Sequence, residues 1–98
     1  METSGKPEMK LLQSGSTLKV MQISGKAGMK MPRHRTTQEA MITVQTGRAT
    51  LNISDQDHTL EKGNSFIIPA DVDHDLTLEA DFKAIAVMLL ESKIEFNR

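Results

Sequence analysis

Apolar and polar positions alternate along most of this chain in short runs. Gly, Pro, Asn or Asp breaks them about every ten residues, the rhythm of a small all-β domain. The clearest run sets Ala49, Leu51 and Ile53 against Arg48, Thr50 and Asn52. That period of two puts one face in a core and the other in water. Ala40, Ile42 and Val44 likewise oppose Met41, Thr43 and Gln45, and the Gly47 break between the two runs predicts a hairpin. His74, Leu76 and Leu78 share a face opposite Asp75, Thr77 and Glu79. Further strands are expected over 18–23, 58–60 and 65–68, the last stopped by Pro69, with a turn at Asp55-Gln56-Asp57. Residues 82–90 are apolar on both faces and are expected to be buried on both; Ile85 and Val87 favour a strand there over a helix. Gly28 and Pro32 punctuate the stretch before Ala40, and 91–98 carries no deciding pattern. Residues 1–8, polar and holding Gly5 and Pro7, read as a flexible N-terminal tail, which leaves 9–98 as one domain.

Composition narrows the functional classes. The chain has 98 residues, one domain's worth, and no cysteine. Disulfides, thiol nucleophiles and Cys-zinc sites are therefore excluded, and a reducing compartment is compatible. A net charge of −1 gives no global drive toward nucleic acid or anionic membrane. Three phenylalanines, with no Trp or Tyr, make a poor base-stacking platform. The longest strongly apolar run, 84–90, falls far short of the ~20 residues of a membrane helix. Residues 1–10 hold no apolar signal core. The expectation is a cytoplasmic protein with neither nucleic-acid nor membrane partners.

Two stretches join these breaks to histidines. The first runs from Gly28 through His34, Thr36, Glu39 and Ala40 to Gly47; the second runs from Gly63 through Pro69 and Asp71 to His74. Together they resemble the two motifs of the cupin family. The first of those motifs is Gly, five residues, His-x-His, three or four residues, Glu, six residues, Gly. The second is Gly, five residues, Pro-x-Gly, two residues, His, three residues, Asn. Gly28, His34 and Gly47 fit the first, and Gly63, Pro69 and His74 the second, with fifteen residues between Gly47 and Gly63. The resemblance covers 18–90 and implies a small double-stranded β-helix, a jelly-roll barrel of two packed antiparallel sheets. In metal-binding relatives both histidines and the glutamate of the first motif, with the histidine of the second, hold the ion. Here Thr36 stands at the second histidine, Ala40 at the glutamate, Asp71 at the second motif's glycine and Leu78 at its asparagine. Only His34 and His74 survive of four ligands, an incomplete metal set.

The pair can be read as ligands to Zn, Fe, Ni, Mn or Cu, or as groups that bind a small molecule or move its proton. The plainer reading is two polar groups hydrogen-bonded at a barrel mouth. Thr36 is a further candidate for ligand binding. Glu39 lies one residue off the family's glutamate, hence on the opposite face, and reads as a solvated charge. His58 shares the parity of Leu60 and reads as structural. Asp71, Asp73 and Asp75 resemble an oxygen-ligand cluster, but without an EF-hand pattern they read as turn and edge charges. Met29, Met31, Met41 and Met88 suit core packing, a dimer interface or an adaptable apolar pocket. Lys26, Lys30, Arg33 and Arg35 could draw a small anion to the mouth.

The leading expectation is a module that binds a small molecule in its barrel through His34, Thr36 and His74. Its cofactor is either absent or one weakly held divalent transition metal on His34 and His74. The alternative is a small metal-dependent enzyme, dioxygenase- or isomerase-like; a third reading is a ligand-free interaction protein. A homodimer is expected, because apolar positions exceed what one small core can cover.

Overall fold

The alternating pattern becomes ten strands in a computed structural model that describes residues 5–96. They are β1 (Glu8–Ser14), β2 (Leu18–Gly25), β3 (Lys30–Thr36), β4 (Ala40–Thr46), β5 (Arg48–Ile53), β6 (Gln56–Glu61), β7 (Ser65–Ile68), β8 (His74–Leu78), β9 (Phe82–Leu89) and β10 (Ile94–Phe96). No helix occurs among the described residues. The strands form two five-stranded antiparallel sheets, β1-β2-β9-β4-β7 and β10-β3-β8-β5-β6. Most connections cross from one sheet to the other, which winds the chain into a double-stranded β-helix. The inward positions of both sheets make one core. Ile42, Val44, Phe82 and Ala84 come from the first sheet, and Ala49, Leu51, Leu76 and Leu78 from the second.

Three local expectations are corrected. Strands β4 and β5 do not form a hairpin: β4 pairs with β7 and β9, and β5 with β6 and β8. Gly47 is instead the corner at which the chain changes sheets. Its φ is +87°, and a Cβ there would lie 2.0 Å from the Asp81 carbonyl oxygen. Next, the turn expected at 55–57 is a two-residue loop of Ser54 and Asp55, both at positive φ, and β6 starts at Gln56. That geometry matches the right-handed twist of the β5–β6 hairpin. Finally, β9 is buried on one face only. Phe82, Ala84, Ala86 and Met88 fill the core, while Ile85, Val87 and Leu89 stay half-buried on the outside, where the protomer has no third layer.

The first four residues of the expected tail lie outside the described residues. Pro7 is buried, and β1 opens at Glu8 as an edge strand, blunted by Lys10 and by an irregularity in register between Leu11 and Gln13. At the other end β10 adds to the edge of β3. Among the described residues no helix is long and apolar enough to cross a membrane.

Candidate functional site

The imidazole pair is built by a β-bulge. Met31 pairs with Leu76 and His34 with His74, so β3 spends three residues where β8 spends two. Strict alternation from the inward-facing Met31 would turn His34 outward. The extra residue in Pro32-Arg33 restores it to the core side, and Pro32, which cannot donate to the ladder, is tolerated at such a bulge. On β8 no bulge is needed, because His74 already shares the inward face of Leu76 and Leu78.

The two rings meet as cross-strand neighbours, centroids 4.3 Å apart and planes inclined at 64°. His34 is 5% exposed, His74 and Thr36 4% each. Each ring is fixed in the same way. Nδ1 of His34 donates to the Pro32 carbonyl at 2.6 Å, and Nδ1 of His74 to the Val72 carbonyl at 3.0 Å. A carbonyl only accepts, so the proton of each neutral ring sits on Nδ1 and Nε2 is left as an acceptor. Burial pushes the pKa of His74 below its ordinary value; the Val72 hydrogen bond opposes this, His34 lowers it further, and Asp75 and Asp73 raise it.

Both rings line a cavity of about 40 Å³ together with Thr36, Met31, Met88 and Ile94. That is room for a water or two, not for a drug-sized ligand. Ala40 and Ala86 are part of the wall on the opposite sheet. Thr36 donates its hydroxyl proton to the Gln38 carbonyl at 2.8 Å, which holds the turn into β4. Strand β10 closes the mouth: Ile94 lines the cavity, and the Phe96 ring lies 5.1 Å from that of His34. The Lys6 ammonium sits over the outer side of this closure, 5.1 Å from the Phe96 centroid.

Sequence reasoning missed β10 and the bulge. The alternation of Ile94 and Phe96 around Glu95 was the signal for β10, but three residues are too few to fix a strand from pattern alone. Other candidates lie elsewhere. Glu39 is exposed, and His58 packs on Phe66 with centroids 5.0 Å apart. Asp73 forms an ion pair with Arg35 at 3.2 Å. Among the described residues no three His, Asp or Glu side chains converge as a metal site. The family's four-ligand set therefore does not fit here: Ala40 carries no ligating atom, and Thr36 brings a neutral hydroxyl, a far weaker ligand, where the family has an imidazole.

The sequence model of the cupin domain matches residues 20–90, and the chain belongs to the cupin family. Solved structures agree on the fold. A cupin superfamily protein from Desulfitobacterium hafniense DCB-2 is similar at a TM-score of 0.79 and 15% identity, over 93% of this chain and 84% of its own. A conserved protein with a double-stranded β-helix domain from Klebsiella pneumoniae subsp. pneumoniae MGH 78578 gives 0.81 at 14% identity, over 99% and 90%. The DMSP lyase DddQ from Ruegeria pomeroyi DSS-3 gives 0.84 at 18%, over 94% of this chain but 52% of the lyase. No curated protein matches the chain.

Proposed function

We propose that this cupin domain binds a small molecule with a hydrogen-bond donor and an apolar body, against His34 and His74, without a tightly held metal. The observation that carries the reading is the buried imidazole pair, each ring with its proton tied to a backbone carbonyl and its Nε2 left to accept. A neutral ring that carries its proton on Nδ1 accepts at Nε2, so a donor on the ligand, or a water in its place, matches the pair. The lowered proton affinity of His74 keeps that ring a neutral acceptor at neutral pH. Methionine and isoleucine side chains supply the apolar part of the wall, and Thr36 contributes shape. A ligand larger than the cavity enters by displacing Ile94 and Phe96. The cysteine-free chain suits a reducing, cytoplasmic setting. The metal-dependent alternative is disfavoured because two imidazoles are one ligand short of a catalytic zinc set. A divalent ion on them would take most of its shell from solvent and leave readily to a chelator.

The test follows the imidazole resonances of the three histidines by NMR while alcohols and carboxylic acids from methanol to hexanoic acid are added singly. The expected result is a saturable shift at His34 and His74 but not at His58. The shift disappears in a His34→Ala/His74→Ala variant that keeps the strand spectrum. If no compound moves the two rings, or if the double variant binds as well, the reading fails. One equivalent of metal surviving dialysis against EDTA would overturn its metal-free part.

A further inference from the structure

The cavity wall beside the two imidazoles carries thioether sulfur, which the cupin motifs lack and the small-molecule reading uses only as apolar surface. Met9 of β1, Met31 of β3 and Met88 of β9 all line it. None of the three stands at a ligand position of the motifs. Met31 precedes the bulge on β3 and pairs with Leu76, as His34 after the bulge pairs with His74. Met88 belongs to the opposite sheet. Its cross-strand partner is Ala40, the residue that stands where the family has its glutamate. Met31 and Met88 are buried, and Met9 packs against the same core from the edge strand. The other methionines of the described residues are placed differently. Met41 pairs with Ile67 and Val87 on the outer face of its sheet, and Sδ of Met29 accepts from the Lys26 N–H at 3.4 Å. Met21 lies outside the cavity wall.

We propose that Met9, Met31 and Met88 join His34 and His74 in a reversible site for a soft monovalent d¹⁰ ion of the Cu⁺ and Ag⁺ class. Three properties of the cavity select that class over divalent ions. The first is the donor set: thioether sulfur with imidazole suits Cu⁺, whereas harder divalent ions take carboxylate and water. The second is charge. No Asp or Glu lines the cavity. Born energy rises with the square of the charge, so a monovalent ion enters such a wall at about a quarter of the cost of a divalent ion of equal radius. The third is size and adaptability. About 40 Å³ accepts an ion stripped of most of its water, and the three rotatable side-chain bonds of methionine let its sulfur approach without moving a strand. The imidazoles are already oriented for ligation, with Nδ1 of each donating to a backbone carbonyl and Nε2 left as the donor atom toward the ion. All five ligands are neutral, so nothing in the wall cancels the ion's charge and binding is micromolar and reversible. This goes beyond the small-molecule reading and does not rest on it; an ion on Nε2 competes with the ligand's donor for the same atoms.

Titration of the full chain with silver nitrate in chloride-free buffer tests this, followed by NMR of the imidazoles and of isotope-labelled methionine methyl groups. The expected result is one Ag⁺ per chain. It shifts the methyls of Met9, Met31 and Met88 together with the rings of His34 and His74, before Met21, Met29, Met41 or His58 responds. Zn²⁺ should bind at least about a hundredfold more weakly. Met31→Leu/Met88→Leu conserves volume and keeps both imidazoles. It should weaken Ag⁺ binding at least about thirtyfold, since sulfur supplies the soft donors. Alcohols and carboxylic acids should still move the two rings in that variant, so the small-molecule reading stands or falls separately. A parent that takes up no Ag⁺ at micromolar concentration overturns the proposal. So does Zn²⁺ that binds as tightly, Ag⁺ that reaches Met29 and Met41 at the same concentration, or a leucine variant that binds Ag⁺ as well as the parent. The methyl map and the Zn²⁺ comparison use the parent alone and decide the matter even if the leucine variant fails to fold.

Discussion

Asp71 holds a φ of 58°, the left-handed region, at the position where the cupin motif has glycine. The backbone requirement has outlived the glycine, and aspartate is among the few residues that meet it at modest cost. Thr36 and Ala40 are the opposite case. Their backbones sit where the family's ligands would, and both line the same cavity as His34 and His74, but their side chains no longer supply the donors. Restoring the donors therefore tests the geometry. A Thr36→His/Ala40→Glu variant should bind one Ni²⁺ or Zn²⁺ per chain in equilibrium dialysis, which the parent should not retain, and metal should raise its melting temperature. Without metal it should be several kcal/mol less stable than the parent, because it buries an uncompensated carboxylate. A double variant that takes up no metal would show that the four positions do not converge.

Two glycines at positive φ separate the demands of an element's end from those of a sheet-to-sheet corner. Gly63 has a φ of +90° with nothing within 4 Å of where a Cβ would stand. Gly63→Ala should cost only the backbone term, ~1–2 kcal/mol. Gly47 adds a collision with the Asp81 and Phe82 backbone, which cannot move without breaking the start of β9. Gly47→Ala should cost clearly more than that ~1–2 kcal/mol, and urea denaturation of the two variants side by side measures the difference. Equal costs would mean that the corner yields. This contrast also shows what the sequence could and could not reveal. The runs at 40–44 and 49–53 were legible because their inward residues are apolar without interruption, and 74–78 because Leu76 and Leu78 keep the same period behind His74. Gly47 was legible as a break but not as a hairpin or a corner, because pairing partners come from distant strands. The bulge at Pro32-Arg33 was hidden because it reverses the alternation that would reveal it, and β1 and β10 because edge strands carry little apolar signal. His34 and His74 were brought together correctly by the motifs, whereas their closure by Ile94 and Phe96 depends on a contact between sequence-distant strands.

The stability of the whole molecule is coupled to the site through His74. Burial is the largest influence on this ring and favours its neutral form, His34 adds to that, and Asp73, Asp75 and the Val72 carbonyl act against it. The net result is a folded-state pKa below the ordinary value of 6.5, which the unfolded chain retains. Between the two values the unfolded state binds more protons than the folded state, so stability rises with pH. The contribution is fully present above 6.5 and is lost as pH falls through the lower folded value. One such group gives a slope of at most about 1.4 kcal/mol per pH unit. Urea midpoints should therefore fall from about pH 7.5 to about pH 5, above the range where most carboxylates take up protons. In His74→Gln, which cannot take up a proton there, the slope should flatten. A parent with a flat profile, or a variant with the parent's slope, would place the sensitivity elsewhere. The same linkage ties the fold to its proposed ligand: a donor bound to the neutral rings competes with the proton, so saturating ligand should raise the stability and extend the low-pH end of the sloping range, while its upper end stays at the unfolded chain's value.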